Sequence, residues 1–140
     1  MNTVKEKPQP NSGGNLMNIV LKKVIESSYS DSEVCDYHSF DIYADGQKVG
    51  SIEIIDCFNE ENDICYVERI DIDEEYRGQG IGTEVLKNTL YSDYGYYTTI
   101  VAPDNEDAQR LYERIGREYS CTNEGYDFSY NDQGYGVYEI

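Results

Sequence analysis

Apolar and polar residues alternate in short runs along most of the chain, and turn-forming residues separate the runs, which predicts strands more often than helices. Asn18 to Ile25 opens the pattern, with Ile19 and Leu21 set against Val20 and Lys22, and reads as a first strand. Residues 26 to 38 are polar and serine-rich, leaving room for one irregular turn at most. From Ser39 to Ala44, Phe40, Ile42 and Ala44 alternate with Asp41 and Tyr43. Asp45-Gly46 then supplies a pair that tolerates positive φ in a tight turn, and Lys48 to Asp56 returns as the second arm of a hairpin. After the acidic stretch Asn59 to Asp63, a central strand runs from Ile64 to Ile72. Simple alternation sets Ile64, Tyr66, Glu68, Ile70 and Ile72 on one of its faces, with Glu68 the only charge among them. A carboxylate there is paired, with Arg69 or another base, or turned to water, or functional; burial would raise its pKa.

The period then changes. Ile81, Val85, Leu86 and either Lys87 or Leu90 recur at helical spacing, predicting a helix that ends near Tyr91 or Ser92. Tyr97 to Ala102 is β-rich and is closed by Pro103. Strand, helix and strand in this order predict a parallel pair with a right-handed crossover. A second helix carries the stripe Ala108, Leu111, Tyr112 and Ile115, capped by Asp104 or Asn105 and ended by Gly116. Tyr126, Phe128 and Tyr130, a turn at 131 to 134, and Tyr135, Val137, Tyr138 and Ile140 predict a final hairpin. Residues 1 to 17, with Pro8, Pro10, Gly13 and Gly14, read as a flexible tail, and residues 18 to 140 as a single domain.

Between the central strand and the first helix lies Arg77-Gly78-Gln79-Gly80-Ile81-Gly82-Thr83. Three glycines there remove the Cβ atoms that would keep a ligand off the backbone, so consecutive N–H groups can converge on an anion. The helix that follows adds its own free N–H groups and the positive end of its dipole. A diphosphate suits such a cradle, and Arg77 brings a permanent positive charge. The spacing fits neither a P-loop nor Gly-x-Gly-x-x-Gly, and a tight turn without ligand is the plainer alternative.

The order Arg-x-x-Gly-x-Gly, directly after a strand, closely resembles the acyl-CoA loop of the GNAT superfamily of N-acetyltransferases. A second block agrees: Asn105 to Gly116 resembles that family's Asn-x-x-Ala-x-x-Leu-Tyr-x-x-x-Gly helix. The resemblance implies an α/β (α+β) fold with a mixed, mostly antiparallel sheet and a central parallel strand pair joined by a crossover helix; the one or two N-terminal helices usual in the family are reduced here, since residues 26 to 38 leave room for one irregular turn at most. It implies transfer of an acetyl group from acetyl-CoA, as co-substrate, to a primary amine. Main-chain groups of Ile70, Asp71 and Ile72 would pair with pantetheine and hold the oxyanion, and residues 77 to 83 would hold the diphosphate. Asn105 and Ala108 would add cofactor contacts. Glu68 would act as base toward the acceptor amine, and Tyr112 would donate a proton to the departing thiolate. For Tyr112 the plainer alternative is a core tyrosine bonded to a backbone carbonyl. Arg117 departs from the family pattern, which carries an aromatic residue after the glycine.

Charge narrows the partners. The chain has 28 Asp plus Glu against 11 Lys plus Arg, for a net charge of -17. Such a balance disfavours nucleic acid and anionic membranes and favours a basic acceptor, with solubility alone as the bland alternative. Lys48 and Arg69 are the only bases between residues 41 and 75, where acids are dense. Cysteines 35, 57, 65 and 121 lack Cys-x-x-Cys spacing and His38 is the only histidine, so no metal site is expected and the thiols read as reduced and mostly buried. His38 itself reads as an ordinary residue before a strand. The chain has no run of 18 apolar residues, and residues 1 to 17 lack a signal-peptide core, so a soluble, cytoplasmic protein is expected. A homodimer is left open. The competing function, from a different class, is a catalytically weak or inactive acyl-CoA-binding scaffold whose acidic surface holds a basic partner.

Overall fold

Alternating β-branched and aromatic residues form strands wherever one face can be buried. A computed structural model describes residues 17–24, 29–30, 36–56, 64–119, 122–123, 126–127 and 135–140. It begins with β1 (Ile19–Lys23), the short β2 (Tyr29–Ser30), β3 (Asp36–Ala44), β4 (Gln47–Ile55) and β5 (Ile64–Ile72). The β3–β4 hairpin turns at Asp45 and Gly46, both at positive φ (50° and 84°), as that dipeptide predicts. β3 starts at Asp36, three residues earlier than the alternation suggested, and β2 pairs with its first residues. Among the described residues no helix lies between β1 and β3. Met17, expected in the tail, packs against the core, while residues 1 to 16 lie outside the described residues.

After a turn of 3-10 helix (Glu74–Tyr76), the crossover is one helical run in three parts. These are α1 (Ile81–Glu84), a π-helical stretch (Val85–Thr89) and α2 (Leu90–Tyr94). The run therefore continues past the expected end near Tyr91 and stops where Gly95, at φ 74°, donates its N–H to the Tyr91 carbonyl. β6 (Thr98–Val101), α3 (Glu106–Ile115), β7 (Arg117–Tyr119), β8 (Thr122–Asn123), β9 (Tyr126–Asp127) and β10 (Val137–Glu139) complete the chain.

One sheet has the order β1-β3-β4-β5-β6-β10-β7, with β2 beside β3. All its pairings are antiparallel except β5 with β6, so the mixed sheet and its single parallel pair are as expected. The C-terminal hairpin is not. β10 inserts between β6 and β7, while β9 pairs with β8; the expected turn at 131 to 134 lies outside the described residues. Local alternation could not choose between these partners, because β7 supplies an equally compatible edge right after α3. Arg117, on β7, bonds through Nε and Nη2 to Oε1 of the buried Glu139 on β10, at 3.0 and 2.8 Å.

The core lies between this sheet and the crossover. Phe40, Ile42, Ile52, Ile54, Cys65 and Val67 belong to one buried cluster with Ile81, Val85, Leu86 and Leu90. Each such aliphatic side chain contributes about 1.5–3 kcal/mol when removed from water. Cys65 is a free, buried thiol. No helix among the described residues is long and apolar enough to cross a membrane.

The expected face of β5 is corrected by a bulge. Ile54 pairs with Val67 and Glu53 with Arg69, so Glu68 is the extra residue and alternation restarts after it. Cys65 and Val67 therefore face the core before the bulge, and Ile70 and Ile72 pack against it afterwards. Ile64 and Tyr66 share no face with Ile70 and Ile72, and Glu68 is exposed.

The end of β5 is held close to β4. Gly50 pairs with Ile72, and a Cβ on Gly50 would stand 2.1 Å from the Asp71 carbonyl oxygen. Gly50→Ala is expected to cost about 1–3 kcal/mol. A Cβ on Gly82 would meet only Ile72 Cγ1 at 3.8 Å, an ordinary contact, so Gly82→Ala should leave stability unchanged or slightly raised. Urea unfolding of the two variants compares them directly.

Candidate active site

Where β5 ends, the chain is tied down before it becomes a loop. Asp73 donates its N–H to the Val49 carbonyl (2.8 Å), and the Tyr76 hydroxyl donates to Gln47 Oε1 (2.9 Å). Gly78 and Gly80 then take φ values of 79° and 82°, a conformation that glycine adopts without strain, and both face open space. Gln79 between them is exposed. The helix starts after Gly80, whose carbonyl accepts from Glu84 N–H at 2.9 Å. The N–H groups of Ile81, Gly82 and Thr83 precede that first bond and have no partner within the helix. Arg77 folds back over the loop, donating from Nε to the Ile72 carbonyl at 2.7 Å. Its side chain is exposed, and its Nη groups make no bond to another described residue. Residues 77 to 83 thus have the positive-φ glycines, the open space around them and the helix start that the sequence suggested.

Beside the loop, β5 and β6 part. Their parallel pairing runs from Ile64 with Thr98 to Val67 with Val101 and stops. β6 ends at Val101, and the chain leaves through Ala102 and Pro103 to α3, while β5 continues to Ile72 against β4 alone. Between Arg69 and Ile72, the β5 edge that would face β6 has no strand partner among the described residues. Alternate N–H and C=O groups of a strand point to each side, so main-chain groups of this segment are directed into the gap. Ile70, Asp71 and Ile72, expected to offer such groups, all lie in it.

Asn105 caps α3: its Oδ1 accepts from Ala108 N–H at 2.8 Å, and its Nδ2 donates to Asp104 Oδ1 at 2.9 Å. Ala108, Leu111 and Ile115 pack on the core as the stripe predicts. The structural duties of Asn105 and Ala108 are thereby explained without a ligand. Tyr112 is 6% exposed, with its ring 6.4 Å from that of Tyr138. No hydrogen bond joins its hydroxyl to another described residue, so no described backbone carbonyl is its partner. Burial first, and then the carboxylates of Asp104 and Asp71, push the Tyr112 phenol up to about 12. The carboxylate of Asp71 therefore reaches α3 electrostatically, across the gap where β5 and β6 part.

Asp71 is also ion-paired. Arg69 Nε lies 2.5 Å from Asp71 Oδ2, and that contact, ahead of Glu53 and Asp104, raises the guanidinium above its ordinary range. Arg69, Asp71, Asp104 and Tyr112 thus form one electrostatic neighbourhood. Glu68 is not Arg69's partner, and among the described residues it has no ion pair. The charge group around Tyr112 was not anticipated from sequence. The spacing of Arg69 and Asp71, two apart on a strand and so on one face, was the available signal.

A profile of the Acetyltransferase (GNAT) family matches residues 16–116. The chain is similar to the L-2,4-diaminobutyric acid acetyltransferase of Halalkalibacterium halodurans, at 24% identity over 122 residues, 81% of this chain and 65% of that one. Its fold is similar to that of an acetyltransferase from Thermus thermophilus, with a TM-score of 0.51 and 15% identity over 74% of this chain and 63% of the other. The chain thus spans slightly less than two thirds of both relatives. A GNAT family acetyltransferase from Elizabethkingia anophelis with acetyl-CoA bound has a TM-score of 0.50 and 12% identity, over 88% of this chain and 97% of that one. The family match takes in both loop and α3 and covers well over half of the chain, so this protein belongs to the GNAT acetyltransferase family.

Proposed function

We propose that the protein transfers an acetyl group from acetyl-CoA directly to a primary amine of a basic acceptor, a small amine or a protein lysine or N-terminus, in the cytoplasm. One observation carries the reading: the open-edged end of β5 runs into a glycine loop with bare N–H groups, and its Asp71 acts electrostatically on the buried Tyr112 phenol. The diphosphate would rest on the main chain of residues 77 to 83 with Arg77 beside it. Pantetheine would add to the free edge at Ile70 to Ile72 as an extra strand, with Asn105 and Ala108 as further contacts at the start of α3. The thioester carbonyl would then meet N–H groups of the same edge, which would hold the oxyanion.

The acceptor arrives as an ammonium and gives up one proton; its nitrogen then attacks the thioester carbon, the C–S bond breaks to release the CoA thiolate, and the nitrogen sheds a second proton to water as the amide forms. A lysine-type amine has a pKa near 10.4, so at pH 7 only about one molecule in a few thousand is neutral. Glu68, at the water-facing bulge, is the proposed acceptor of the first proton through water. Tyr112, at about 12, is a weaker acid than a thiol of about 8.5 by roughly three units. It would therefore stabilise the leaving thiolate chiefly by donating a hydrogen bond, rather than by full proton transfer. The carboxylates of Asp71 and Asp104 beside it favour a cationic acceptor, and the diamino acid in the name of the Halalkalibacterium relative is of that type. The reaction as written needs no metal ion.

The scaffold reading draws support from one observation, the exposure of Glu68. Release of free thiol from acetyl-CoA with a panel of amines separates the two, because a binder gives none.

Gly80→Glu would place a side chain at a φ of 82° that suits glycine, and would add bulk and negative charge where the diphosphate would sit. Acetyl-CoA affinity should fall more than a hundredfold, measured by calorimetry, while circular dichroism stays unchanged. Tyr112→Phe should slow turnover by about 10²-fold or less and leave acetyl-CoA affinity intact. A phenol raised to about 12 stays protonated as pH rises through its ordinary 10, so the wild-type rate should show no Tyr112-dependent fall below about pH 11. A fall near pH 10 that disappears in Tyr112→Phe contradicts this. Glu68→Gln should lower kcat/KM and alter the acidic limb of the pH–rate profile; an unchanged profile removes Glu68 as base.

A further inference from the structure

At the end of the sheet remote from the glycine loop, three ligating side chains converge. Asp36 and His38 are two apart on β3 and so share a face, and Asp56 follows β4, tied to β3 by its N–H to the Asp36 carbonyl at 3.1 Å. One ligand atom from each of Asp36, His38 and Asp56 lies within 4.8 Å of the others. His38 Nε2 is 3.1 Å from Asp56 Oδ2, which also accepts from the Tyr96 hydroxyl at 2.9 Å. The side chains of His38 and Asp56 are only 19% and 12% exposed. Their remaining atoms, His38 Nδ1 and Asp56 Oδ1, are enclosed with no partner among the described residues. Asp56 Oδ1, on the same carboxylate as Oδ2, is thus left for a second contact to anything bound there, whereas His38 Nδ1 lies on the ring edge away from Nε2.

We propose that Asp36, His38 and Asp56 bind a divalent first-row transition ion of the zinc type, with Tyr96 as the outer partner that orients Asp56. Ligand atoms about 2.0–2.1 Å from such an ion stand roughly 3 Å apart, the separation of His38 Nε2 and Asp56 Oδ2. An imidazole with two carboxylates suits zinc, cobalt or manganese, whereas magnesium and calcium take oxygen alone. Two carboxylates gathered around one imidazole leave negative charge that a divalent ion neutralises. The hydrogen bond from Tyr96 to Asp56 is of the kind that holds a metal ligand in place.

Asp56 adjoins the β4–β5 pair Ile55 and Tyr66, whereas the glycine loop follows Ile72. At 3.3 Å per residue the two sites lie about 20 Å apart. The ion is therefore structural, fastening the start of β3, the end of β4 and the segment before β6, and acetyl transfer does not pass through it. His38 looks isolated along the chain because its partners are two and eighteen residues away; the β3–β4 hairpin brings Asp56 back to it.

The test uses the full chain, free of any affinity tag and stripped with chelator. Zinc should bind one to one in calorimetry and raise Tm by several degrees, and cobalt should give visible d–d absorption that zinc abolishes. Asp36→Asn, at an exposed position where folding is not at risk, and His38→Gln should each weaken zinc at least tenfold, with Tyr96→Phe weakening it about 10- to 100-fold. Wild-type protein that takes up neither ion stoichiometrically, or an Asp36→Asn/His38→Gln double variant with undiminished zinc affinity, overturns the site. Thiol release in the acetyl-transfer assay is read separately and decides neither outcome.

Discussion

A strand that loses its neighbour halfway along leaves a row of main-chain donors and acceptors facing a gap, a ready template for another extended chain. That is the condition of β5 after Val67. β4 holds it along its length, whereas β6 accompanies it for four residues only. Two local events produce the split. The bulge at Glu68 re-aims β5, and the chain after Val101 leaves the sheet through Pro103 to start α3. In the proposed reading, an extended ligand rich in amides would pair with that edge and an anion would rest on the glycine loop at its end.

The charges around the gap serve two purposes. Burial first, and then Asp104 and Asp71, oppose ionisation of the Tyr112 phenol, and the same negative field would suit the cationic amine proposed as acceptor. Arg69 holds the Asp71 carboxylate through a direct ion pair, and it is exposed enough that salt and solvent screen the pair. In the proposed reaction the field would collect a cationic acceptor, while the main chain, the Tyr112 phenol and Glu68 would serve the chemistry.

Glycine has three separate jobs here. Gly50 and Gly116 are packing glycines: a Cβ would strike the carbonyl of Asp71 at 2.1 Å or that of Glu139 at 2.4 Å, so they let β4 lie close to β5 and α3 close to β10. Gly78 and Gly80 are conformational, with positive φ and open space around them. Gly82 is neither, since a methyl there would make only ordinary contact, and its use is the bare first turn of a helix.

Much of this was readable along the chain. The Asp45-Gly46 turn, the central strand, the glycine loop and the stripe of α3 are set by neighbours within a few residues, where backbone preference and side-chain period act directly. The parallel pair followed from the order of elements and the handedness of crossovers. Other features depend on residues far apart and left no local mark. A bulge is a mismatch between two strands, so alternation on β5 alone misassigned the face of Ile64, Tyr66 and Glu68. Strand partners at the C-terminus were decided by which edges α3 left free, and β10 settled between β6 and β7. The neighbourhood of Tyr112, and the meeting of His38 with Asp56, arise from segments that touch only once the sheet has formed. Short-range pattern prescribes the elements because their hydrogen bonds and rotamers are local; pairing, burial and the electrostatic surroundings of a side chain belong to the assembled sheet, because they are sums over atoms brought near by folding.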